Sequence, residues 1–170
     1  IDISQAGGFG AATLAAADEG LPALGYVVSY RVLQRALDDA LARRGLPVRH
    51  GVSVSGVTAT PACARVDCAE PAPEPLLARL AAIADGSGAA VEGLVRHRHD
   101  YRQVALVAKV WRASPHRGRA YERFTPQGPV ALLPEGDHCS LVWTATPECA
   151  QSLLEASDAA FLATLATHFG

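Results

Sequence analysis

Few residues in this chain have the type and spacing that side-chain chemistry needs. His97 and His99 are the one close pair among six histidines, and on a strand their rings would share a face, as metal ligands can. No third ligand follows at a diagnostic spacing, so the pair reads as part of a polar connector over residues 96–102. The four cysteines, Cys63, Cys68, Cys139 and Cys149, form no CxxC pair. They support neither a zinc ribbon nor a thiol redox motif and read as free thiols of a cytosolic protein. Gly8-Phe9-Gly10-Ala11-Ala12-Thr13 has the front half of a dinucleotide-binding glycine motif. The third glycine, the long apolar strand before it and the acidic residue after it are missing, so it reads as a flexible loop. No Ser-His-Asp or Cys-His arrangement can be argued from spacing, and no catalytic side chain is nominated.

Composition narrows the class. At 170 residues the chain can bury a real core as one domain or two small lobes. Its net charge of −2 argues against a nucleic-acid partner, which needs a clustered positive field. Nearly half of the residues are hydrophobic, yet no apolar run approaches the roughly 20 residues of a membrane-spanning helix. The first residues carry neither the basic nor the long apolar segment of a secretory leader. With Ile rather than Met at its start, the chain reads as a piece of a longer protein.

The elements that must position any site are legible as patterns. Ile1-Asp2-Ile3-Ser4 alternates like a strand. Ser29 can cap a helix whose Val32, Leu33, Ala36, Leu37, Ala40 and Leu41 make one apolar stripe. Arg43 and Arg44 suit its last turn, Gly45 its αL exit, and Leu46-Pro47 its stop. Alternation over residues 48–68 predicts two or three short strands. The prolines of residues 70–75 predict a surface loop. Residues 76–84 form a strand or a short helix ending in a polar turn at Asp85-Gly86. Residues 104–111 are strand-like. Residues 118–144 then give three strands, 120–124, 130–133 and 140–144, separated by turn-rich breaks at residues 125–129 and 134–137, an antiparallel meander. Thr146-Pro147-Glu148 and Ser157-Asp158 start two helices, the second with Phe161, Leu162, Leu165 and Phe169 on one face. The pattern alone predicts an α+β fold with an antiparallel sheet.

The meander also carries a resemblance. Tyr121-Glu122-Arg123-Phe124-Thr125-Pro126, Gly128-Pro129, Ala131-Leu132-Leu133-Pro134 and Ser140-Leu141-Val142-Trp143-Thr144 together resemble the FAD-dependent hydroxylases of ubiquinone biosynthesis. The likeness is to the 2-polyprenyl-6-methoxyphenol hydroxylase type, within the para-hydroxybenzoate-hydroxylase-like flavin monooxygenases. It continues through Leu24-Gly25-Tyr26-Val27-Val28, Arg31-Val32-Leu33, Ala78-Arg79-Leu80, Ala84-Asp85-Gly86 and His116-Arg117-Gly118.

The resemblance implies an internal stretch of a monooxygenase. Its residues 1–92 would be a partial FAD-binding lobe with one long helix, and residues 93–170 a substrate lobe of antiparallel sheet and C-terminal helices. The cofactor would be FAD, with NAD(P)H as reductant and O₂ as the oxygen source. The substrate would be a polyprenylated phenol held away from water. Asp85 and Gly86 would meet the FAD ribose and pyrophosphate, and Arg31 would suit a pyrophosphate. Phe124, Leu132, Pro134 and Trp143 would form the substrate face or its rim. The glycine-rich N-terminal lobe and the later Gly-Asp motif of that family lie outside the chain, so this stretch alone is expected to be inactive. Uncovered edges predict that it self-associates, and the whole protein would be cytoplasmic, peripheral at the inner membrane. The alternatives are a flavin hydroxylase for a different phenol and a non-catalytic binding module derived from the substrate lobe.

Overall fold

The computed structural model describes residues 1–69, 74–84, 86 and 91–169. In chain order the elements are β1 (Asp2–Gln5), β2 (Ala11–Thr13), α1 (Tyr30–Arg43), β3 (Val54–Ala59), β4 (Ala64–Cys68), β5 (Leu76–Ala78), β6 (Val104–Val110), β7 (Tyr121–Thr125), β8 (Gly128–Glu135), β9 (His138–Ala145), α2 (Pro147–Glu155) and α3 (Asp158–Phe169). They fall into two compact units. One comprises residues 1–34 with 100–170, the other residues 35–99.

The first unit is built on a six-stranded sheet in the order β2-β1-β7-β8-β9-β6. The meander β7-β8-β9 is antiparallel with short loops. The β8–β9 link is the pair Gly136-Asp137, with Gly136 at φ 57, which is the left-handed start that a two-residue hairpin requires. At the β7–β8 turn a Cβ on Gly128 would stand 2.8 Å from the Thr144 methyl, and its φ is 134, so only glycine fits. Pro134 lies in β8 rather than in the expected break. It sits opposite Cys139 on one side, while on the other β8 has outrun β7, so the missing N–H falls at an edge position.

The register divides the sheet into two faces. Val130, Leu132, Leu141 and Trp143 share one face with Leu106 and Ala108, and α2 and α3 pack on it through Ala150, Leu153 and Leu165. Trp143 is 3% exposed, with its ring edge-on to Phe161 at 5.7 Å and to His168 at 4.9 Å between centroids. Burial first, and the Arg123 charge second, pull the His168 imidazole below its ordinary value. Both helices carry the expected caps: Thr146 Oγ1 accepts from Cys149 N at 3.3 Å, and Ser157 Oγ from Ala160 N at 3.3 Å.

β1 joins this sheet by parallel pairing with β7, Asp2 beside Tyr121 through Gln5 beside Phe124. Residues 1–34 thus group with the meander rather than with the segment that follows them. A strand pairing across so long a separation leaves no trace in local periodicity.

α1 carries the chain from the first unit into the second. Val32 N donates to Ser29 Oγ at 3.4 Å, and Gly45, at φ 63, closes the C-terminus. None of its residues is buried: Val32 is 57% and Leu37 52% exposed. In the second unit β3, β4 and β5 form an antiparallel sheet around Val57, which also bridges to Val91. Only residues 76–78 of the ambiguous stretch 76–84 form a strand. The proline-rich loop lies largely outside the described residues.

Gly128→Ala is expected to lower unfolding stability by about 1–3 kcal/mol, and Trp143→Ala by about 3–5 kcal/mol, in urea denaturation. A change within about 0.5 kcal/mol for either would contradict the packing just described.

Candidate functional site

The face of the sheet turned away from α2 and α3 carries Ala105, Val107, Phe124, Ala131, Leu133 and Val142. Val107 is 70% and Phe124 47% exposed. Alternation explains the set, since each is one residue out of step with a core position. Ser140 and Thr144 add hydroxyls to the same face.

At the end of this sheet, where β1 and β7 begin and β8 finishes, lies a cleft of about 700 Å³. That is within the usual size of a small-molecule pocket. Leu14, Leu24, Tyr26 and Val27 line one side, Leu133 and Pro134 another, and residues 116–120 a third. Residues 116–119 form a tight turn closed by Arg119 N donating to the His116 carbonyl at 2.9 Å. Its central residues, Arg117 and Gly118, have φ of 51 and 72. A non-glycine residue holds such a conformation only where its surroundings fix it. One anchor is Asp2. Its backbone N–H donates to the Ala120 carbonyl, and its carboxylate accepts from Arg119 Nη1 at 2.9 Å and from Thr13 Oγ1 at 2.8 Å. The Thr13 hydrogen bond, and after it the Arg119 pairing, hold the Asp2 carboxyl below its ordinary value.

The substrate-face nominees do not come together. Leu132 and Trp143 are buried on the helix-covered face, Phe124 lies on the opposite one, and Pro134 lines the cleft. One wall cannot contain all four, because strand neighbours in sequence point to opposite sides. Arg123, on the covered face, donates to Ser4 Oγ at 3.2 Å, while its Nε is buried without a hydrogen-bond partner. Of the cofactor nominees, Arg31 is exposed in the first turn of α1, Gly86 lies in the second unit with φ 66 and open space around it, and Asp85 is outside the described residues. Among the described residues no three His, Cys, Asp or Glu side chains gather as a metal site. No helix of the described residues is long and apolar enough to cross a membrane. The cleft residues Leu24, Tyr26, His116 and Arg117 were not nominated, although the segments holding them carry part of the resemblance.

No family model matches the chain. Curated proteins do. It is 34% identical to the ubiquinone hydroxylase UbiL of Rhodospirillum rubrum over 152 residues, 86% of the chain and 35% of the relative. It is 31% identical to the 3-demethoxyubiquinol 3-hydroxylase of Escherichia coli over 159 residues, 91% of the chain and 40% of the relative. The chain is homologous to part of the ubiquinone-biosynthesis hydroxylases. A mitochondrial ubiquinone biosynthesis monooxygenase of Xenopus tropicalis agrees at 35% identity over 91 residues, 51% of the chain and 20% of the relative. The chain thus spans about a third of the length of the ubiquinone hydroxylase it matches over most of its own.

Because the folded Asp2 value is depressed, the stability it contributes is present above the ordinary carboxylate range and lost as pH falls through the folded value. Asp2→Asn should therefore flatten the fall of the urea midpoint between neutral pH and about pH 3. An acid limb as steep as that of the parent protein would contradict this role.

Proposed function

We propose that the protein containing this chain is an FAD-dependent monooxygenase that hydroxylates the ring of a polyprenylated phenol, with NAD(P)H as reductant. The observation that carries this reading is the 34% identity over 152 residues to a ubiquinone hydroxylase. The substrate ring is assigned to the open sheet face, with Phe124 as its aromatic contact, and the apolar chain to the cleft beyond Leu133 and Pro134. Leu132 and Trp143 serve as the support beneath that wall.

FAD, when bound, supplies the activation of O₂ and the transfer of one oxygen atom to the ring. Arg31 has an exposed guanidinium at a helix start, which suits a phosphate. Gly86 has a left-handed backbone with open space about its Cα, which lets a ligand approach the main chain. Each is proposed as a contact to that cofactor, as is Asp85 through a ribose hydroxyl. What the chain's own first unit does is orient and dry the ring. Small side chains at Ala105 and Ala131 leave room for a planar ligand, Phe124 offers a ring face or edge, and Val142 and Leu133 exclude water. Peripheral membrane association follows from the chemistry of such a substrate, which partitions into lipid.

The test uses the full-length protein. Flavin absorbance near 450 nm is expected to survive desalting; a colourless protein that does not respond to added FAD would instead be a binding module. In the flavin-loaded protein, Phe124→Ala should lower kcat/KM for the phenol by about 2- to 13-fold, the equivalent of an aromatic contact of about 0.5–1.5 kcal/mol, with stability unchanged within about 0.5 kcal/mol. An unchanged kcat/KM would remove the open face from the site.

A further inference from the structure

Protein groups hold the strained turn at the cleft from two sides, and the second anchor is a single imidazole. The His116 ring faces two backbone groups of fixed character. Gly118 N lies 3.0 Å from Nδ1, and the Gly136 carbonyl oxygen lies 2.9 Å from Nε2. An amide N–H can only donate and a carbonyl oxygen can only accept. Both contacts are hydrogen bonds together when Nδ1 carries no proton and Nε2–H donates to Gly136. One neutral tautomer therefore closes the turn upon itself and fastens it to the β8–β9 hairpin.

What is fastened is the cleft wall. Residues 116–120 line the cleft, and so do Leu133 and Pro134, on the neighbouring strand that leads into Gly136. The imidazole thus ties together two neighbouring segments of the cleft wall. Among the described residues no other side-chain hydrogen bond links the two segments, whose strands meet at Tyr121 and Leu132. The Asp2–Arg119 pair ties the turn to β1 instead.

We infer that His116 is a positioning residue of the cleft: by accepting from Gly118 and donating to Gly136 it holds the Arg117–Gly118 turn in the shape against which the apolar chain of the substrate lies. This rests on the assignment of that chain to the cleft. It makes His116 a determinant of chain-length preference and not a participant in ring chemistry. Its removal should leave kcat for a short-chain phenol unchanged and weaken only the gain that added chain provides.

The experiment measures, in the full-length flavoprotein, Kd and kcat for phenols bearing one, two and three isoprene units in the parent protein, His116→Ala and His116→Asn. Asparagine keeps an acceptor for Gly118, and each variant is first checked for native melting. Burial of added carbons should raise the affinity of the parent protein along the series, by up to about fourfold per fully buried carbon. His116→Ala should flatten that gradient at constant kcat for the shortest phenol, and His116→Asn should restore part of it. Imidazole ¹⁵N shifts of the parent protein should report the Nε2–H tautomer, and Gly118 N–H should exchange slowly. The opposite tautomer or a fast-exchanging Gly118 overturns the proposal outright. A tautomer as described with a gradient preserved in His116→Ala overturns the role of His116 and leaves the cleft assignment standing. A parent protein with no gradient overturns the cleft assignment and the proposal with it.

Discussion

The parallel pairing of β1 with β7 is the constraint on which the rest of the first unit depends. Among the described residues it is the only parallel ladder in the sheet, and it joins β1 to the first strand of the meander. Without it β7 would be an edge, Asp2 would not meet Ala120 or Arg119, and residues 14–27 would not reach Leu133 and Pro134. Parallel pairing over a long separation carries a large loop-closure cost, and the Asp2 contacts with Thr13 and Arg119 fasten the place where that cost is met. The cleft is a by-product of this junction, since it occupies the corner where two strands begin and a third ends.

A second consequence concerns the two faces of the sheet. Both helices follow β9 directly in the chain, and their apolar residues cover Val130, Leu132, Leu141 and Trp143. Residues one step out of phase along the same strands are left outside. They are mostly alanine, branched aliphatic residues and Phe124, with Lys109, Glu122 and Glu135 the charged members of that face in β6, β7 and β8. A solvated face would be expected to alternate apolar with polar more strictly. The apolar share of this face is the feature on which the proposed assignment of the substrate ring rests.

Much of this was legible in the sequence, for identifiable reasons. The meander announced itself through Gly128, Gly136 and their neighbours, because turn residues act locally. α1 was legible end to end from Ser29 to Gly45, and α2 from Thr146 and Pro147. The stripe on α1 was also legible, but its exposure was not, since a periodic pattern says that a face is apolar without saying what covers it. The same limit placed Phe124 with Leu132 and Trp143. All are apolar residues on neighbouring strands, and only the register, Phe124 opposite Pro129 and Leu132 opposite Tyr121, separates them onto two faces. The cleft escaped notice because its walls come from residues 14–27, 116–120 and 133–134, which no local window contains. His116 carried part of the resemblance as a loop residue, and only the fold sets Gly118 and Gly136 on either side of its ring.

The central claim is that the open face and its adjoining cleft receive the substrate. It is tested most directly by photolabelling the full-length protein with a prenylated phenol bearing a diazirine on the ring, followed by mapping of the modified peptides. The account predicts labels on Phe124, Ala131, Leu133 or Val142, displaced by unlabelled phenol. Labels confined to residues 35–99, or labels that unlabelled phenol does not displace, would contradict it.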